Sequence, residues 1–237
     1  MSAVRGAPGG GAARLDAPEL GGQTLLAIDT ALGTSVALGV GSGGDGSDGS
    51  RGSVFEAFSD DPRGHTEAIG ELIARVFESA GVAPTAVTGV VVGIGPGPFT
   101  GLRVGMAAAH AFAIGRGVPL LPLQGHEAVA LKVLEPGAAV PGVRVVQDAK
   151  RRELFVTEYA GLDWAGIPVR TADPALAARE GFIPSVVDVW PERIPAARLV
   201  QLAARRLATG REFEADRALY LRHPDVYPPA APKRVST

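Results

Sequence analysis

Asp29 and Asp148 each close a short run, Leu25-Leu26-Ala27-Ile28 and Val143-Arg144-Val145-Val146-Gln147, that reads as a strand. Carboxylates at matching strand ends can grip a metal-bound nucleotide or act as acid and base. Each can equally cap its own turn. A second candidate is the run Gly93-Ile94-Gly95-Pro96-Gly97-Pro98-Phe99-Thr100-Gly101-Leu102-Arg103-Val104-Gly105. It follows Gly89-Val90-Val91-Val92 and precedes an Ala-rich segment, so its glycines and prolines make a tight strand-to-helix turn. Thr100 is placed to N-cap that helix, and free N–H groups at such an end attract anions. The loop has no lysine and is not a P-loop. Thr100 also stands where the dinucleotide fingerprint needs its third glycine. Backbone recognition or packing, rather than side-chain chemistry, is what it offers.

Lys150, Arg151 and Arg152 put three positive charges on a hairpin tip. They can meet a phosphate backbone or simply be solvated. The histidines do not build a metal site. His126-Glu127 starts like a zincin helix, but Ala130 sits where the second histidine belongs. His65 stands alone at a helix start, and His110 lies inside a small-residue helix. The chain has no cysteine, which excludes disulfides and thiol catalysis. No nucleophile elbow is present.

Elements must position these groups. Gly101, Gly105, Ala109 and Ala113 recur every fourth residue and line one helix face almost free of bulk. Such a face packs on the domain's own sheet, or it admits a partner helix at close range. Residues 65–81 read as an amphipathic helix with Ile69, Leu72, Ile73, Val76, Phe77 and Ala80 on one stripe. The order is βββαβαβ up to residue 123. A hairpin at 143–159, a third strand at 167–170, a short helix at 174–180, a strand at 186–189 and a helix at 195–209 repeat that order in weaker form. This is an α/β chain built on a duplicated unit with its second copy reduced. Residues 1–22 read as a disordered leader, 23–123 and 124–210 as two subdomains, 41–53 as a flexible loop, and 211–237 as a tail lying over the surface. At 237 residues and a formal net charge of −2 the chain has no generally basic surface. No stretch approaches the roughly 18 apolar residues that span a bilayer, and no signal-peptide core is evident. A cytoplasmic location is expected.

Together the segments resemble the bacterial TsaB (YeaZ) family. The matching pieces are Leu26-Ala27-Ile28-Asp29-Thr30 with Ser35-Val36-Ala37-Leu38, His65-Thr66-Glu67, the run from Val92 to Gly105, Asp148-Ala149-Lys150-Arg151-Arg152-Glu153-Leu154-Phe155, and Leu219-Tyr220-Leu221-Arg222. The resemblance implies an actin-like (sugar kinase/Hsp70-type) fold of two subdomains. It implies a non-catalytic subunit that binds and activates TsaD in forming threonylcarbamoyladenosine in tRNA. TsaD holds a metal through paired histidines on a helix, where this chain offers His65 and then Ile69. The implied partners are TsaD in a heterodimer, the P-loop ATPase TsaE, tRNA through the complex, and a homodimer of the chain alone, with no membrane. The implied partner-binding residues are His65, Ile69, Leu72, Ile73, Val76, Gly101, Gly105, Met106, Ala109, Phe112 and Ala113. Asp29, Thr30, Gly97, Thr100, Gly101 and Arg103 are the implied nucleotide-binding set. No cofactor is required by the chain itself, and ATP or ADP is placed at the partner interface. Pro98 stands where the family has serine, and Arg152 where it has a turn glycine. Two rivals follow from the residues and the fold. One is an actin-like ATPase or kinase using Asp29 and Asp148; the other is a peptidase, for which neither nucleophile nor metal-ligand pair is evident.

Overall fold

The structure is a computed structural model that describes residues 12–17, 20–42, 52–61, 64–135 and 142–222. Its first sheet holds strands β1 (Ala13–Asp16), β2 (Thr24–Asp29), β3 (Thr34–Val40), β4 (Ser53–Ser59), β5 (Gly89–Gly93) and β6 (Leu120–Leu123), in the order β1-β4-β3-β2-β5-β6. Helix α1 (His65–Ala80) joins β4 to β5, and α2 (Phe99–Arg116) joins β5 to β6. The second lobe begins at α3 (Gly125–Leu134). Its sheet holds β7 (Val143–Asp148), β8 (Glu153–Leu162), β9 (Pro168–Ala178) and β10 (Asp188–Val189), in the order β10-β7-β8-β9. Helix α4 (Ala196–Thr209) ends the regular structure.

The apolar runs of β2 and β5 are continuous because both sheet faces are covered. Leu26 and Ile28, with Val90 and Val92, join the α1–α2 layer and its Leu72, Val76, Met106 and Ala109. Leu25 and Ala27, with Val91, point the other way, into a core shared with Leu199, Val200 and Leu202 of α4 and with Val143 and Val145 of β7. Burying a leucine such as Leu199 contributes about 2 kcal/mol. This second core spans both lobes, so α4 ties them together.

The duplication is visible in the pairing. Strand β2 pairs antiparallel with β3 and parallel with β5; β7 pairs antiparallel with β8 and parallel with β10. By this pattern α4 follows β10 as α2 follows β5, and the second copy lacks a counterpart of α1. Three expectations are corrected. The leader, read as disordered over 1–22, supplies β1, which pairs antiparallel with β4. Residues 174–180 are not a helix: up to Ala178 they continue β9, because pairing with β8 overrides a helix-like Ala spacing. Thr100 is not the N-cap of α2; Pro98 holds that place, and no side chain caps the helix. Most of the 41–53 loop lies outside the described residues, as does the tail beyond residue 222.

Candidate functional site

The ends of β2, β5 and β7 converge on a cleft of about 400 Å³ between the lobes. Thr30, His65, Thr100 and Gly101 line it from the first lobe, and Gln147, Asp148 and Lys150 from the second. The cleft forms because α2 starts almost on top of the β2 turn. A Cβ on Gly101 would lie 2.6 Å from the Thr30 carbonyl, and one on Gly105 2.1 Å from Thr30 Oγ1. Only glycine allows that approach. The Thr30 hydroxyl donates to the Gly101 carbonyl at 2.6 Å, locking turn to helix. Gln147 Nε2 donates to the Ala31 carbonyl at 3.2 Å, and its Oε1 is 3.1 Å from His126 Nε2. His126 Nδ1 in turn meets Thr157 Oγ1 at 2.8 Å. A buried polar chain thus crosses from the second lobe to the Asp29 turn.

The two aspartates do the same local work. The Ala31 N–H donates to Asp29 Oδ1 at 2.8 Å, and the Lys150 N–H to Asp148 Oδ1 at 2.9 Å. Each acid caps the turn two residues on, as the turn-capping reading requires. Their surroundings differ. Asp29 is 1% exposed and sits beneath Gly93, where a Cβ would lie 1.8 Å from its Oδ2. Its Oδ2 has no hydrogen-bond partner among the described residues. Burial pushes its pKa up to about 6, against the pull of the Ala31 N–H. Asp148 is at the surface, 3.4 Å from Lys150 Nζ and 3.3 Å from Arg179. Its pKa is lowered: partial burial raises it, but the Lys150 N–H and the Lys150 and Arg179 charges outweigh that.

Asp29 is buried and does not line the cleft, whereas Asp148 lines it, half-exposed and paired with Lys150 and Arg179. The Thr30 hydroxyl is spent on a carbonyl. Of the six residues expected to bind nucleotide, Thr30, Thr100 and Gly101 line the cleft. Asp29, Gly97 and Arg103 do not. Gly97 is buried against Ala31, and Arg103 lies outside, its guanidinium 3.8 Å above the Phe99 ring. His65 is half-buried, with Nδ1 2.8 Å from Thr34 Oγ1, and burial lowers its pKa against the opposing Asp61 charge. Ile69, the position of the missing second histidine, is 5% exposed in the core. Among the described residues no three His, Asp or Glu side chains gather as metal ligands.

Most of the expected partner-binding residues lie within the first lobe. Ile69, Leu72, Val76, Gly101, Gly105, Met106, Ala109 and Ala113 are buried inside the first lobe. Ile73 and Phe112 are half-buried, with the Phe112 ring stacked on Phe77 at 6.0 Å. The small-residue row of α2 therefore faces its own sheet. The outward faces of the two helices carry other exposed residues: Glu67, Gly70, Glu71, Ala74 and Glu78 on α1, and Arg103, Ala107, Ala111, Ile114 and Gly115 on α2. Ile114 is 79% exposed.

One neighbour of the cleft escaped the site reading. The Leu219 N–H donates to the Ile94 carbonyl at 2.8 Å and Tyr220 packs on Phe99 with ring centroids 4.8 Å apart. The tail thus returns to the Gly/Pro loop. The tyrosine amid charged residues was a signal, but pairing it with Phe99 across more than a hundred residues needs the fold.

The family model for TsaD, tRNA N6-adenosine threonylcarbamoyltransferase, matches residues 60–166. An uncharacterized protein of Mycobacterium tuberculosis is 33% identical over 156 residues, covering 66% of this chain and 65% of that protein. The tRNA threonylcarbamoyladenosine biosynthesis protein TsaB of Escherichia coli is 30% identical over 136 residues, covering 57% of this chain and 54% of its own length. The chain thus spans just under two thirds of the former relative and about half of the latter. YeaZ from Pseudomonas aeruginosa superposes with a TM-score of 0.68 at 22% identity, over 84% of this chain and 100% of that structure. That likeness carries the two-lobed actin-like fold. No helix among the described residues is long and apolar enough to cross a membrane.

Proposed function

We propose that the chain is a member of the TsaB (YeaZ) family and a non-catalytic scaffold that binds and activates TsaD in forming threonylcarbamoyladenosine in tRNA. TsaE and the tRNA join through that complex, and the chain pairs with itself when TsaD is absent. The observation that carries the scaffold role is the outward side of α2, with the neighbouring outward side of α1. Ordinary surface helices are dressed in long charged side chains. Here Ala107, Ala111 and Gly115 leave the outward side of α2 low, and a Cβ at Gly115 would meet nothing within 4 Å, while on α1 Gly70 and Ala74 lie among the exposed Glu67, Glu71 and Glu78. Small residues let a partner's helices approach closely, and Ile114 supplies an exposed apolar anchor.

The test is Ala111→Arg, with Ala74→Arg as its companion. Both positions are exposed, so the fold should tolerate the change within about 0.5 kcal/mol. A protruding guanidinium should block capture of TsaD and abolish threonylcarbamoyl transfer by the reconstituted complex. Undiminished capture by both variants would remove this face from the interface. The ATPase and kinase alternative gains no support from Asp29, which is buried and does not line the cleft.

A further inference from the structure

Beside the cleft, the tail, the α2 start and the β7–β8 hairpin enclose a groove of about 410 Å³. Its lining combines the aromatics Phe99, Phe155 and Tyr220 with Lys150, Arg151 and Arg222. Phe99 and Tyr220 are 38% and 40% exposed despite packing on one another. Arg103 lies over the Phe99 ring and its Nε donates to the Tyr220 hydroxyl at 3.1 Å, giving a layered platform of guanidinium and rings. The hairpin tip rises next to it. Lys150, Arg151 and Arg152 all have positive φ, at 62°, 52° and 62°. An L residue costs roughly 1–2 kcal/mol in that region, and glycine or asparagine would relieve it. Three long cations are nonetheless kept there in succession. Within the cluster Asp148 pairs with Lys150 and Arg179, and Glu153 with Arg222. Lys150, Arg151, Arg152 and Arg222 thus gather at one place on a chain whose formal net charge is −2.

We propose that this groove binds a single-stranded segment of RNA, with an unstacked base on the Phe99–Tyr220–Arg103 platform and flanking phosphates on the Lys150–Arg152 tip. The inference rests on the scaffold reading above and adds to it a direct contact between this chain and the tRNA. An exposed aromatic face beside a strip of cations is what sequence-tolerant binding of unpaired strands requires, and unpaired bases are what proteins stack when they recognise RNA. An acidic peptide would satisfy the charges but leave the platform without a flat partner.

The test is fluorescence anisotropy on the full chain with a labelled single-stranded RNA of about ten nucleotides, across a salt series. Arg151→Glu with Arg152→Glu should weaken binding at least about tenfold and flatten the salt dependence, by about 0.7 in log–log slope for each lost phosphate contact. Phe99→Leu should weaken it about tenfold with the slope unchanged. Melting curves and TsaD capture are measured on the same preparations. Folded variants that bind RNA as the parent does would overturn the assignment while TsaD capture leaves the scaffold reading standing. So would displacement of the RNA by polyglutamate, which makes the groove a peptide site, or by ATP alone at comparable concentration, which makes it a mononucleotide site.

Discussion

Asp29 shows how one residue type at one strand end can carry two histories. In β2 it is sealed in; in β7 its counterpart Asp148 meets solvent and cations. The buried carboxylate has its pKa raised to about 6 from the ordinary 3.8. Stability associated with its protonated form is fully present below pH 3.8 and is lost as pH rises through 6. The cost of burying the charge at higher pH is on the order of 3 kcal/mol. Asp29→Asn keeps an acceptor for the Ala31 N–H and removes the charge. It should therefore melt above the parent at pH 8, and the gap should close as pH falls toward 4. A parent and variant with parallel pH profiles would show that Asp29 is ionised in the fold without penalty. Placing Asp29 and Asp148 at strand ends needed only the apolar runs before them. Which of the two lies buried depended on Gly93, which adjoins Asp29 through the parallel pairing of β2 with β5.

At the scale of elements, α2 is the instructive case. Its four-residue repeat of small side chains identified a close approach but not the element approached. A helix face stripped of bulk fits a sheet strand, a turn or a foreign helix equally well. The Thr30 hydroxyl bonded to Gly101 is what identifies the neighbour. Gly105→Leu should therefore destabilise the fold itself, by roughly 1–3 kcal/mol from overpacking. That is a fall in melting temperature of about 3–10 °C for a chain of this size. TsaD capture by the fraction that stays folded should persist. An unchanged melting temperature with capture lost would return this row to the interface. The outward residues Ala107, Ala111 and Ile114 were in the same helix and just as readable. They went unread because alanine is common on both faces of a helix, so the α2 pattern alone does not mark the outside.

Across the whole molecule the lobes are joined by α4 and by the chain from Thr157 through His126 and Gln147 to Ala31. Burial lowers the His126 pKa to about 4 from 6.5, against the opposing bond to Gln147. A depressed pKa gives stability that is present above pH 6.5 and is lost as pH falls toward 4, on the order of 3 kcal/mol in total. His126→Gln keeps a neutral hydrogen-bonding side chain without the titration. The parent should lose stability relative to this variant between pH 6.5 and 4, read from urea midpoints across that range. Equal pH dependence of the two would remove His126 from the acid response. This runs opposite in sign to the Asp29 contribution, so each is measured against its own variant rather than from the parent profile alone.

Period-two and period-3.6 patterns, the Gly/Pro turn and the family motifs sufficed for most of the order of elements and for the two-lobed fold, because those signals are local. They sufficed as well for the turn-capping reading of both aspartates, which is a contact two residues long. Tertiary structure alone decided that residues 13–16 close a sheet edge, that residues 174–178 extend a strand, and that the small face of α2 looks inward. It also decided that Tyr220 meets Phe99 beside a basic hairpin. Each of these joins residues distant along the chain, and such pairings are set by which surfaces must be buried together rather than by the residues on either side.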